Sequence, residues 1–170
     1  MITLSTLQDL NRIEELFHLA IQYQKTRSGN AWHGMDRNLI EYEIRNHLHW
    51  KILEAGEIAC FFSIALTDRL VWEQRDEEPS VYLHRIVTNP VFRGRGYVQQ
   101  ILSWAEEFGR ERQLQYVRLD TNRDNQRLND YYREVGFELC GFRKFEDGSD
   151  PAIPRHYLGS GLSLFEKRIS

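Results

Sequence analysis

The sequence predicts an α/β (α+β) fold, a mixed twisted β-sheet with helices on both faces, in one domain spanning 1–170. Three observations carry this. Period-2 apolar runs alternate with amphipathic helical runs along the whole chain; some runs join through short turns as hairpins and others as strand–helix–strand units. The composition, 41% hydrophobic and 28% charged over 170 residues, suits one packed core. No internal repeat or domain-splitting linker interrupts it.

Ile2 and Leu4 suggest a short strand, and Ser5 followed by Gln8 reads as a capping box opening a helix that carries Leu10, Ile13, Phe17, Ala20 and Ile21 at helical spacing. Gln24 to Met35 reads as a long connection. Asp36 caps a second helix with Leu39, Ile40, Ile44 and Leu48 on one face. A hairpin comes next, turning at Ala55-Gly56 and running from Ile58 to Thr67. Asp68 to Ser80 is polar and contains a turn; Val81 to Thr88 is the best buried strand, stopped by Asn89-Pro90. A helix from about Arg95 to beyond Gly109, a strand at Tyr116 to Thr121, a helix at Asn125 to Val135 and a strand at Phe137 to Phe145 succeed it. Gly148 to Pro154 is a loop, and Leu162 to Ile169 closes the sheet.

Net charge is −3 with the basic residues spread along the chain, which argues against nucleic acid as a partner. The N-terminus lacks a signal peptide's pattern and no window reaches membrane-spanning length, so a soluble, cytoplasmic protein is expected. Cys60 and Cys140 lie in apolar contexts without metal-ligand spacing and read as buried thiols. His47 and His49, placed on a helix, would face different ways, and no metal is expected.

The segment Thr88-Asn89-Pro90-Val91-Phe92-Arg93-Gly94-Arg95-Gly96-Tyr97-Val98 joins the buried strand to an amphipathic helix. Unpaired N–H groups, the helix dipole and two arginines there make a site for phosphate or pyrophosphate, with Gly94 and Gly96 allowing close approach. A nucleotide enzyme of the phosphate-loop kind would need Lys-Ser or Lys-Thr after the last glycine, where Tyr97-Val98 stands instead.

This turn resembles that of the GNAT acetyltransferases: Arg93 and Gly96 match the family's Gln/Arg-x-x-Gly-x-Gly/Ala signature, and Val98 stands where a small residue is usual. Downstream, Asn125 to Phe137 is similar to the family's Asn-to-Tyr-to-Gly-Phe segment, with seven positions from Asn125 to Tyr132 and four from Tyr132 to Gly136. Leu128 stands where Ala is common. The resemblance implies acetyl-CoA as co-substrate, without a metal, and a small-molecule amine or a protein or peptide amine as acceptor, and leaves room for a homodimer. It implies that central strands splay to admit the pantetheine arm beside Ile86, Val87 and Thr88, that Gly94, Arg95, Gly96, Tyr97, Val98 and Gln99 hold the pyrophosphate with Arg93, and that Asn125 bonds the arm or the linking loop, a helix cap being the plainer reading of that residue.

It also assigns Tyr132 as the acid that protonates the departing thiolate. Asp120 matches a position used as base by some members, with a solvent-facing carboxylate or one paired to Arg118 or Arg123 as the plainer alternative. His84 is the next candidate, and Trp32, His33 and His84 would line the acceptor site. A non-catalytic acyl-CoA sensor on the same fold is the competing reading.

Overall fold

The computed structural model describes residues 1–27, 31–146, 150–159 and 161–170. Seven strands form one mixed sheet in the order β1-β2-β3-β4-β5-β7-β6: β1 Ile2–Leu4, β2 His49–Glu54, β3 Glu57–Ala65, β4 Ser80–Thr88, β5 Tyr116–Asn122, β6 Glu138–Lys144 and β7 Gly161–Arg168. The helices are α1 Leu10–Arg27, α2 Arg37–Arg45, α3 Arg69–Trp72, α4 Tyr97–Glu111 and α5 Gln126–Glu134. Among the described residues no helix is long and apolar enough to cross a membrane. The chain gathers into two compact units, Met1–Ala65 with Leu83–Trp104, and Leu66–Tyr82 with Ala105–Ser170.

In the first unit β1, β2 and β3 pair antiparallel. The β2–β3 hairpin turns at Ala55 (φ 51°) and Gly56 (φ 79°), the two successive left-handed residues that a tight hairpin requires. Helix α1 buries Leu10, Ile13, Leu16, Phe17 and Ile21 and α2 buries Ile40 and Ile44, packed with Ile58, Phe61 and Val87. Each such side chain contributes about 1.5–3 kcal/mol by leaving water.

Four sequence expectations change here. The N-terminal capping residue is Thr6, whose N–H and hydroxyl both donate to Asp9 Oδ2, whereas Ser5 is buried against His49 Nδ1 at 2.8 Å. Helix α1 continues to Arg27, because nothing in Gln24–Arg27 breaks a helix. Asp36 does cap α2, accepting from Leu39 N–H at 3.1 Å, but Leu39 is exposed and Glu43 takes a buried place. His47 and His49 lie beyond α2, at a left-handed turn residue and at the start of β2.

In the second unit the start of β4 pairs with β5 in parallel over Ser80–Tyr82 and Tyr116–Arg118. Strand β7 lies antiparallel between β5 and β6. The polar stretch after β3 folds as α3 and a 3-10 helix, Glu73–Glu77. Arg118 is fully buried, donating to Arg75 O at 2.6 Å, to Glu166 Oε2 at 3.1 Å through Nε and to Glu78. That set of acceptors keeps a buried guanidinium tolerable. Cys60 is buried and Cys140 half-buried, and neither forms a disulfide.

Candidate active site

Strand β4 leads into the turn expected to bind an anion. Asn89 fastens the junction: its N–H donates to Ala59 O at 2.9 Å, its amide to Ile58 O at 3.0 Å, and its Oδ1 accepts from Val91 N–H at 3.2 Å. Pro90–Phe92 makes one 3-10 turn and buries Phe92. Gly94 and Gly96 come next at φ 80° and 70°, so glycine is demanded there by the backbone itself. A Cβ built on Gly94 meets nothing within 4 Å, and one on Gly96 meets only Gln99 Oε1 at 3.5 Å, so the space beside both glycines is open. Helix α4 then starts at Tyr97, with the first N–H groups directed out of its end. The residues fit a pyrophosphate.

The two arginines behave differently. Arg93 lies over the ring of Tyr23 from α1, at 4.0 Å from its centroid, and is exposed. Arg95 is ion-paired with Glu54 at the end of β2, and the Tyr97 hydroxyl donates to the same carboxylate. Glu54 is held below the ordinary carboxylate range, first by that hydroxyl and then by Arg95. Val98 is half-buried and Gln99 exposed.

Of the acceptor candidates in this unit, Trp32 is half-buried, stacked on Phe17 at 4.9 Å, with its N–H donating to Gln24 Oε1; His33 is exposed. His84 is half-buried, and burial together with the Arg85 charge pushes its pKa down to about 3. It is a neutral imidazole at pH 7 and a poor proton acceptor, contrary to the suitable basicity its residue type suggests.

In the second unit Asp120, near the end of β5, accepts from the Tyr157 hydroxyl at 3.1 Å. Arg118 is occupied elsewhere, so the pairing that would have held Asp120 as a strong acid does not form. Burial raises Asp120 to about 6, partly opposed by the Tyr157 bond. Asp68 has a carboxyl oxygen within 4.8 Å of it and is raised to about 7, by burial first and then by the Asp120 charge. Asp68 immediately precedes α3. Nothing in the sequence around Asp68 marks it; its interest arises from a neighbour 52 positions away.

Asn125 Oδ1 caps α5 by accepting from Leu128 N–H at 3.1 Å, leaving its amide nitrogen outside the cap. Asn129 secures the same turn through Asn122 O and Asn125 O. Tyr132 is 8% exposed, its ring 5.7–5.9 Å from those of Tyr131, Phe137 and Phe165. Gly136 at φ 100° ends the helix as expected.

Residues 13–137 match the acetyltransferase (GNAT) family. The chain belongs to that family. It is 26% identical to the uncharacterised N-acetyltransferase YesJ of Bacillus subtilis (strain 168), over 96% of this chain and 87% of that protein. The crystal structure of a GNAT-family acetyltransferase from Listeria monocytogenes 4b F2365 superposes with a TM-score of 0.77 at 25% identity, covering 99% of this chain and 94% of that one. The fold is also that of yncA, a putative acetyltransferase from Salmonella typhimurium whose structure holds acetyl-CoA, with a TM-score of 0.67 at 15% identity over 100% and 94% of the two chains.

Proposed function

We propose that this GNAT protein transfers an acetyl group from acetyl-CoA to a primary amine by direct attack in a ternary complex. The observation that carries this is the turn at Arg93–Gly96, with two left-handed glycines, open space beside both and a helix N-terminus. Gly94 to Gln99 with Arg93 would hold the pyrophosphate, the main chain of Ile86, Val87 and Thr88 would pair with the pantetheine arm, and the amide of Asn125 would bond it. Bound acetyl-CoA supplies a thioester carbonyl already activated for attack.

An amine of pKa ~10.4 lies about 3.4 units from its neutral form at pH 7, roughly 4.6 kcal/mol. Asp120, at about 6, is ionised at that pH and takes the proton, directly or through water. As the new C–N bond forms the C–S bond breaks, and Tyr132 gives its hydroxyl proton to the leaving thiolate. With a thiol near ~8.5 and a tyrosine near ~10, full transfer is uphill by about 2 kcal/mol, within reach of a hydrogen bond that strengthens as charge grows on sulfur. Trp32, His33 and neutral His84 are the residues assigned to the acceptor, a small amine or a protein N-terminus, in a cytoplasmic setting.

The test is a screen of the purified protein with acetyl-CoA against polyamines, amino acids, aminated antibiotics and N-terminal peptides, monitoring thiol release. Turnover with one class supports the reading and names the acceptor. Acetyl-CoA binding without turnover on any amine moves the protein to the sensor class, and absence of binding overturns both.

A further inference from the structure

Strand β4 contains one residue that an extended strand does not accommodate. Arg85, in the middle of Ser80–Thr88, has φ 48°, a left-handed conformation that side chains other than glycine avoid. Such a residue breaks the alternation of the strand and re-aims the side chains after it. Ser80 to Leu83 are all buried, whereas His84, Arg85 and Ile86 are half-buried in succession.

The conformation is held from one side by charge. The Arg85 guanidinium is ion-paired with Glu43 of α2, which is 7% exposed. The other Glu43 oxygen accepts from Ser63 Oγ of β3 at 2.7 Å. Four residues further on, the Asn89 bonds to Ile58 and Ala59 fasten the strand to β3 again. Ile86, Val87 and Thr88 therefore run between two anchored points of the first unit. Burying a carboxylate is costly unless it is paired and hydrogen-bonded, and Arg85 and Ser63 together supply those partners to Glu43.

We infer that Glu43 and Arg85 are positioning residues for acetyl-CoA: their ion pair fixes the course of the Ile86–Thr88 main chain to which the pantetheine arm pairs. The inference rests on the assignment of those three residues to the arm. It predicts an effect confined to that part of the ligand, which general loosening of the unit does not produce.

The experiment compares two ligands by calorimetry, acetyl-CoA and 3′-phosphoadenosine 5′-diphosphate, which keeps the nucleotide and pyrophosphate but lacks the arm. Glu43→Gln retains an acceptor for Ser63 and removes the charge. It is expected to weaken acetyl-CoA about tenfold while leaving the nucleotide unchanged. Arg85→Gly suits φ 48° without strain and removes the guanidinium, and should show the same selective loss. Arg85→Lys restores a cation opposite Glu43 and should recover most of the affinity.

Acetyl-CoA affinity at the wild-type level in folded Glu43→Gln or Arg85→Gly overturns the inference, as does equal weakening of both ligands. Should those variants lose their fold, Ser63→Ala, which deletes one hydroxyl bond and no charge, must still lower acetyl-CoA affinity selectively by about threefold; no selective loss overturns the inference there. A wild-type chain that binds neither ligand defeats the acetyltransferase reading itself, which separates that failure from this one.

Discussion

Two strand–helix junctions of the molecule solve the same problem in opposite ways. Every helix begins with N–H groups that its own carbonyls cannot reach. Where β5 meets α5, Asn125 satisfies one of them from within the chain, and Asn129 ties the turn to Asn122 and Asn125. Where β4 meets α4, two left-handed glycines precede the helix, and the space beside them is open. A junction closed by side chains serves to hold Asp120 and Tyr132 in place, and one left open suits an anion. Like sequence neighbourhoods, a strand end succeeded by a polar turn and an amphipathic helix, can thus be divided into scaffold and binding turn by asking where the first N–H groups find acceptors.

The largest expected effect breaks the open junction. Gly96→Asp places a Cβ at φ 70° and a negative charge beside the pyrophosphate position, and acetyl-CoA binding should fall below calorimetric detection in a protein that still folds. Retained affinity would remove the turn from the site.

Next comes Tyr132→Phe, at the other junction's helix. Ring packing with Phe137 and Phe165 is kept and the hydroxyl is lost, so acetyl-CoA affinity should persist while single-turnover acyl transfer slows by about 10²–10⁴. Near-normal transfer would leave this tyrosine as a packing residue.

Asp120→Asn tests whether the closed junction carries a base. The wild-type kcat/KM should bend near pH 6, and the variant should lack that bend; its deficit should be largest between pH 6 and 8 and shrink as pH rises toward the amine pKa. Stability should move the other way. A carboxyl raised from 3.8 to about 6 favours the folded state below pH 4 and loses that contribution as pH rises through 6, so Asp120→Asn should raise Tm at pH 8 and leave it unchanged at pH 4. A uniform rate loss at all pH values, without the Tm gain, would make Asp120 structural.

The smallest effect is Asn125→Ala, which removes the α5 cap and should lower unfolding free energy by about 1 kcal/mol in a denaturant titration. A larger increase in KM for acetyl-CoA than that loss accounts for would show the amide nitrogen engaged by the arm.

What the sequence discloses is what local chemistry decides. The strand at Val81 to Thr88, the cap at Asp36 and the glycine at 136 all act within a few residues, and each appears where its pattern places it. The short helix α3 has four residues, too few for a period to show. Leu39 is exposed while Glu43 is buried because Arg85 and Ser63, 42 and 20 positions away, supply Glu43's partners. Glu43 sits three places beyond Ile40 on the apolar face of α2, a charged residue in an apolar stripe, and that is the signal the sequence offers. The raised pKa of Asp120 likewise depends on burial, opposed by the hydroxyl of Tyr157, 37 positions away.

The placement of β7 bears on the order of events during synthesis. The strand at 161–168 lies between β5 and β6, and supplies the antiparallel partner of each. Both earlier strands leave the ribosome with a main-chain edge that only this later segment will cover, and Arg118 emerges well before its acceptor Glu166. Loop closure of that span precedes any gain from the pairing, which makes completion of the second unit a slow, late step. Until then β5 and β6 are exposed edges of the kind other chains can pair with, so aggregation during expression is expected to depend more on the growth temperature and on chaperone supply than on the stability of the finished protein.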